Sequence, residues 1–131
     1  MLAQQFEIRH AIPAKPGHAR TGKTMLWIRA HGDVALDGAL LAAVADFSTA
    51  AISGVFGAGH IGNSLDNTIR LCRIVPSRWV LCDIQIQGAH AGFAHGEMRM
   101  FAQTGELLAI ATQSMIVRRP QALDEGRAIA R

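Results

Sequence analysis

Tyrosine is absent from the 131-residue chain, and aromatic residues make up only 5% of it. A platform for stacking nucleic-acid bases therefore has little to be built from, and no basic stripe with interleaved aromatics compensates. The chain has only two cysteines, Cys72 and Cys82. Both fall in strand-like runs without paired metal-ligand spacing, which predicts reduced core thiols rather than a disulfide scaffold or a zinc site. His10, His18, His31, His60, His90 and His95 are scattered, with no pair four residues apart, so no metal and no cofactor are expected. No Gly-x-Ser-x-Gly occurs, which excludes the nucleophile-elbow signature. The N-terminal MLAQQFEIRH carries no basic cluster followed by an apolar core. No secretion signal is expected, and the reading assigns the chain to the cytoplasm. The one long apolar stretch, residues 38–61, is Ala- and Gly-rich and carries Asp46, which favours a buried helix over a membrane span.

What is present suits a single domain with a real core, since half the residues are apolar and 18% are charged. The net charge of +3, from 13 basic and 10 acidic residues, is too small to argue for nucleic acid, though it allows an anionic small-molecule partner. Two stretches read as linker. Residues 13–23, with two prolines and two glycines, predict a mobile connection or hairpin loop, and residues 120–131 read as a polar tail after a unit spanning 1–119.

Asp37 stands at an N-cap position before a proline-free run rich in Ala and Leu, predicting one long helix over residues 38–55 that ends near Gly57 and Gly59. The helix is apolar or small almost all round, as expected of a central element. Strands are expected at residues 6–12 and 24–30, and then at 64–73, 78–88, 93–101 and 107–118, the last four as an antiparallel meander. A curled antiparallel sheet of about five or six strands round one helix is an α+β domain of the hotdog architecture. Residues 57–62, GAGHIG, superficially match a dinucleotide fingerprint. They follow a helix and open a strand, the reverse of the context that motif needs, and read as a crossover.

Two polar residues stand out against this pattern. Asp46 is the only ionisable group between Asp37 and His60, and burial would demand a partner or a cavity. A carboxylate there suits either a structural pin or a base that orients water. Gln113 interrupts the row Ala109, Ala111, Met115 and Val117 on one face of the last strand and needs partners of its own. If that face packs on the helix, Gln113 and Asp46 can meet, with the Ser64 hydroxyl nearby.

The segments N63–R70 (NSLDNTIR), R78–D83 (RWVLCD) and G105–S114 (GELLAIATQS), together with Ala45-Asp46-Phe47-Ser48, resemble the C-terminal half of the acyl-CoA thioesterase II family. That family reads Ser/Thr-Leu/Ile-Asp-His, then Glu-Trp-Leu-Leu, then Asp-Gly-x-Leu-Val-Ala with a Gln near the end of the last strand. The likeness covers roughly residues 27–119. It implies that Asp46, Ser64 and Gln113 orient a water that attacks a thioester carbonyl without a covalent acyl-enzyme, Gln113 also being a candidate oxyanion donor. Asn67 replaces the family's usual His, and Leu71-Cys72-Arg73 replaces an aromatic-His-Arg stretch. The family fuses two hotdog units, whereas this chain has length for one.

The expected activity is therefore hydrolysis of an acyl-CoA to free acid and CoA. The alternatives are a hotdog hydratase or dehydratase, and a non-catalytic acyl-CoA-binding or assembly module. Arg70, Arg73 and Arg78 are expected to meet the phosphates of CoA, with Arg118 and Arg119 as a second basic set. An exposed sheet edge and apolar flank predict a homodimer or a dimer of dimers.

Overall fold

The computed structural model describes residues 2–12 and 22–119. A short 3-10 turn, Leu2–Gln5, leads into β1 (Phe6–His10) and β2 (Lys23–Ala30). The helical segment follows as α1 (Gly38–Ala45), a tighter 3-10 stretch (Asp46–Ala51) and α2 (Ile52–Phe56). Then come β3 (Ile61–Ser64), β4 (Thr68–Leu71), β5 (Val80–His90), β6 (Phe93–Ala102) and β7 (Leu107–Arg118). Most of the linker expected at 13–23, and the tail at 120–131, lie outside the described residues, while Lys23 already belongs to β2.

Asp37 caps the helix as its sequence position suggests: its Oδ1 accepts from the Leu40 amide at 2.8 Å. Gly57, at φ 111°, stops it, in a conformation that a residue with a Cβ rarely adopts. Leu41, Val44, Ala45, Ser48, Ala51 and Ile52 form the buried stripe. Ser48 donates to the Ala45 carbonyl at 3.0 Å, so this buried hydroxyl is satisfied within the tightened turn. The segment Gly38–Phe56 is long and apolar enough to cross a membrane by length and composition. Here its stripe packs on the sheet instead, and the tightened turn lies against β2, β3, β5 and β6.

All paired strands are antiparallel, in the order β1-β2-β5-β6-β7-β3, with β4 also paired to β7. The sheet is thus six strands wide and curls round the helix, the hotdog arrangement. Leu26, Ile28, Cys82, Ile84, Met98, Met100, Ala109, Ala111 and Met115 supply its buried inner face. Each fully buried Leu, Ile or Met contributes about 1.5–3 kcal/mol relative to exposure.

The expected four-strand meander is corrected to three strands, β5, β6 and β7. β5 already has β2 and β6 on its two sides, so the chain leaving the helix pairs at the far edge instead. Val75-Pro76-Ser77 accordingly belongs to a crossover and not to a hairpin. The single strand expected at 64–73 is also corrected: it begins earlier and is broken, β3 pairing with residues 115–118 of β7 and β4 with residues 109–112. Residues 65–67 fall in the gap.

Candidate active site

Strand alternation in β7 turns Ala109, Ala111, Gln113 and Met115 to the inner face, all fully buried. Across from Gln113 on β6 is Gly96, which has no side chain to compete for the space. On the other side lies the break in the edge strand. There the Leu65 amide donates to the Ser114 carbonyl at 2.8 Å. The Ser114 amide donates to Asp66 Oδ1, also at 2.8 Å, so a side-chain carboxylate takes the place of the missing strand carbonyl. Ser64 ends β3 opposite Met115 and so shares the inner face with Gln113.

Gln113 Nε2 donates to Ser64 Oγ at 2.7 Å and to Asp46 Oδ1 at 3.2 Å. The helix, β3 and β7 therefore each contribute one side chain to a single cluster. Asp46 fixes which way the amide points, because turning Oε1 toward the carboxylate would set two acceptors against each other. Both Nε2 hydrogens are committed to these two acceptors. Gln113 Oε1 is buried and has no hydrogen-bond partner, an arrangement that typically costs about 1–3 kcal/mol. Ser64 Oγ donates its one proton to the Asp66 carbonyl at 3.1 Å.

Asp46 itself is exposed, as is Ser64. The expectation of a carboxylate enclosed by apolar neighbours is thereby corrected. The buried stripe of the helix passes through Val44, Ala45 and Ser48, and Asp46 lies beside that stripe, open to solvent. Gln113 is the buried member of the cluster, and it reaches outward to two open partners.

The arginines sit elsewhere. Arg70 pairs with Ile110, on the outer face of the sheet, opposite to the cluster. Arg73 and Arg78 are exposed at the end of the sheet where the helix begins. The Arg73 amide bonds the Leu108 carbonyl at 3.1 Å, five residues or about 17 Å of strand from Gln113. Arg73 also lies near Glu106, whose carboxyl is held below the usual range first by the Thr104 hydroxyl, then by its own backbone amide, with Arg73 adding a smaller pull. Arg78 lines an open cleft of about 630 Å³ with Arg29, His31, Leu36, Leu40 and Ile74. Arg118 donates to Asn63 Oδ1 at 2.9 Å.

No histidine hydrogen-bonds to the cluster among the described residues: His95 pairs with Ser114 Oγ at 2.9 Å on the outer face, and His60 with the Gly57 carbonyl at 3.0 Å. Nor do His, Cys, Asp and Glu side chains group as metal ligands among the described residues. Of the two cysteines, Cys82 is buried and Cys72 exposed, which corrects the expectation of two core thiols. Burial drives the Cys82 thiol far above its ordinary range, whereas Cys72 follows β4, whose edge has no further strand to cover it. Sequence reasoning missed the clasp by Asp66. Its motif was visible, but not the strand break that turns its side chain onto Ser114.

The sequence matches the family of acyl-CoA thioesterase C-terminal domains over residues 1–117. Among solved structures, a Novosphingobium aromaticivorans protein described as a thioesterase is 36% identical with a TM-score of 0.76, over 88% of this chain and 44% of that one. A hotdog protein from Alicyclobacillus acidocaldarius, described as being of unknown function, is 20% identical with a TM-score of 0.78, over 89% of this chain and 47% of that one. An acyl-CoA thioesterase II from Mycobacterium marinum is 23% identical with a TM-score of 0.70, over 91% of this chain and 52% of that one. The chain thus spans about half the length of these three structures. No curated protein matches it.

Proposed function

Since the chain belongs to the acyl-CoA thioesterase C-terminal domain family, we propose that it hydrolyses an acyl-CoA thioester to a free acid and CoA at Asp46, Ser64 and Gln113. The observation that carries this reading is the double donation of the buried Gln113 amide to Ser64 and Asp46. It holds a carboxylate in a fixed direction beside an otherwise apolar wall. A thioester is already activated, so positioning a water and accepting its proton supplies much of what hydrolysis needs.

In the proposed reaction, water bonds through its oxygen to the carbonyl carbon while Asp46 takes its proton. The C–S bond then breaks, and the departing CoA thiolate recovers the proton from Asp46. Ser64 acts as a hydrogen-bond acceptor and not as a nucleophile, its own proton being directed to the Asp66 carbonyl. A hydratase needs a histidine to move protons on the acyl chain, and the two described bonds of His60 and His95 lead away from the cluster.

The open position of Asp46 and Ser64 favours a working unit in which a second hotdog unit covers the site and excludes water from it. We assign that role to a second copy, in a homodimer or dimer of dimers. The apolar side chains of Ile61, Leu65 and Leu71 along the β3–β4 edge, 61%, 55% and 54% exposed, are the surface such a partner would cover. Arg73 and Arg78 are the candidates for the CoA phosphates, reached from the cluster along the sheet. Arg70 is a poorer one on the opposite face. We place the proposed reaction in the cytoplasm.

Thiol release from short-, medium- and long-chain acyl-CoAs tests the reading. Turnover on at least one chain-length class is expected. Tight binding of acyl-CoA with no thiol release would favour a binding or assembly module instead.

A further inference from the structure

The direction of the hydrogen bonds in the cluster depends on a residue outside it. A serine hydroxyl has one proton and two lone pairs. At Ser64 the proton goes to the Asp66 carbonyl, and a lone pair receives Gln113 Nε2–H. Were the Asp66 carbonyl elsewhere, the Ser64 proton would be free to turn toward Asp46 or toward water, and the amide would lose one of its two anchors. What keeps that carbonyl in place is the residue's own side chain. Asp66 lies in the only gap of the β3–β4 edge, and its Oδ1 accepts the Ser114 amide at 2.8 Å. A hydrogen bond to a charged acceptor is the stronger kind. Ser114 directly follows Gln113, so the same bond also fixes the backbone from which the amide projects.

We propose, on the reading above, that Asp66 is a positioning residue of this site. Its clasp on Ser114 and its carbonyl's hold on the Ser64 hydroxyl set the sequence Gln113 to Ser64 to Asp66, leaving the outer lone pairs of Asp46 for water. Asp66 touches neither water nor substrate in this scheme. It acts through Ser64 and through β7.

The test uses the full chain labelled with 15N, together with the thiol-release assay. In the free protein, hydrogen exchange of the Ser114 amide and of the Gln113 side-chain NH2 should be slow. Asp66→Ala should accelerate both by about tenfold or more, because these amides lose their anchor. Asp66→Asn keeps an oxygen acceptor at the same place and should restore most of the protection. In turnover, Asp66→Ala should lower kcat by about 10- to 100-fold, the range that misplacing a reacting group costs, with KM changed less than about twofold. Asp66→Asn should recover most of that loss. Asp66→Glu, which keeps the charge but moves the oxygen, carries the test if the Ala variant does not fold, and it should behave like Ala.

Unchanged exchange at Ser114 and Gln113 in the Ala or Glu variant would overturn the proposal. So would a loss of activity explained wholly by a lower melting temperature, or one confined to KM. If the wild-type chain hydrolyses no acyl-CoA, the reading of the reaction fails, and the exchange measurements alone still decide whether Asp66 holds Gln113.

Discussion

Asp46 is open to solvent and has one side-chain partner among the described residues, the Gln113 amide at 3.2 Å. Asp46→Asn preserves an oxygen for that bond and alters no buried contact, so stability should change by no more than about 0.5 kcal/mol. Activity should respond quite differently. Removing the proton acceptor should lower kcat by about 10²- to 10⁴-fold, the usual worth of a general base. Melting temperature and thiol release measured on one preparation check both statements, and a well-folded Asn variant with substantial turnover would contradict the mechanism. In the proposed mechanism Asp46, Ser64 and Gln113 act on one water, so combining Asp46→Asn with Gln113→Ala should cost less than the product of the separate losses.

Among the elements, β1 is the short outer strand of the sheet, held by its ladder to β2 and the buried Phe6, with an ion-pair clasp added at Glu7. Glu7 pairs directly across from Arg29 of β2 and bonds both Arg29 and Arg9. The two guanidinium groups also lie 4.7 and 5.0 Å from the Trp79 ring centroid, so one carboxylate organises a clasp over an aromatic side chain. Its hydrogen bonds, Arg29 first and then Arg9, hold the Glu7 carboxyl below the usual glutamate range. A depressed value in the folded state means stability that is complete above the ordinary glutamate value of about 4.3 and disappears as pH falls through the lower folded one. Wild type should therefore melt above Glu7→Gln at pH 7, and the gap should close in acid below both values. An equal gap at pH 7 and in acid would show that the clasp acts through shape and not charge.

At the scale of the whole molecule, the β3–β4 edge carries exposed Ile61, Leu65 and Leu71, and the helix side bearing Asp46 is open. A second copy covering both is the working unit proposed above. Light scattering at micromolar concentration should give at least twice the 14.1 kDa chain mass. A stable monomer that turns over acyl-CoA would remove the need for a partner at the site.

Local chemistry was enough to read the central helix, its Asp37 cap and Gly57 stop, and most strand boundaries, because capping, proline-free runs and two-residue alternation act over a few residues. The same alternation marked Gln113 as an amide in an apolar row. The exposure of Asp46 was beyond that reach: it depends on where the sheet ends relative to the helix, and neighbours along the helix do not report this. Strand partners were likewise decided by tertiary structure. β5 could take only two neighbours, so the strand after the helix went to the far edge beside β7 and broke opposite Gln113. That break let Asp66 bond Ser114 and Ser64. Its contacts join residues up to 48 positions apart, a separation across which only the folded sheet brings a carboxylate and an amide within hydrogen-bond distance.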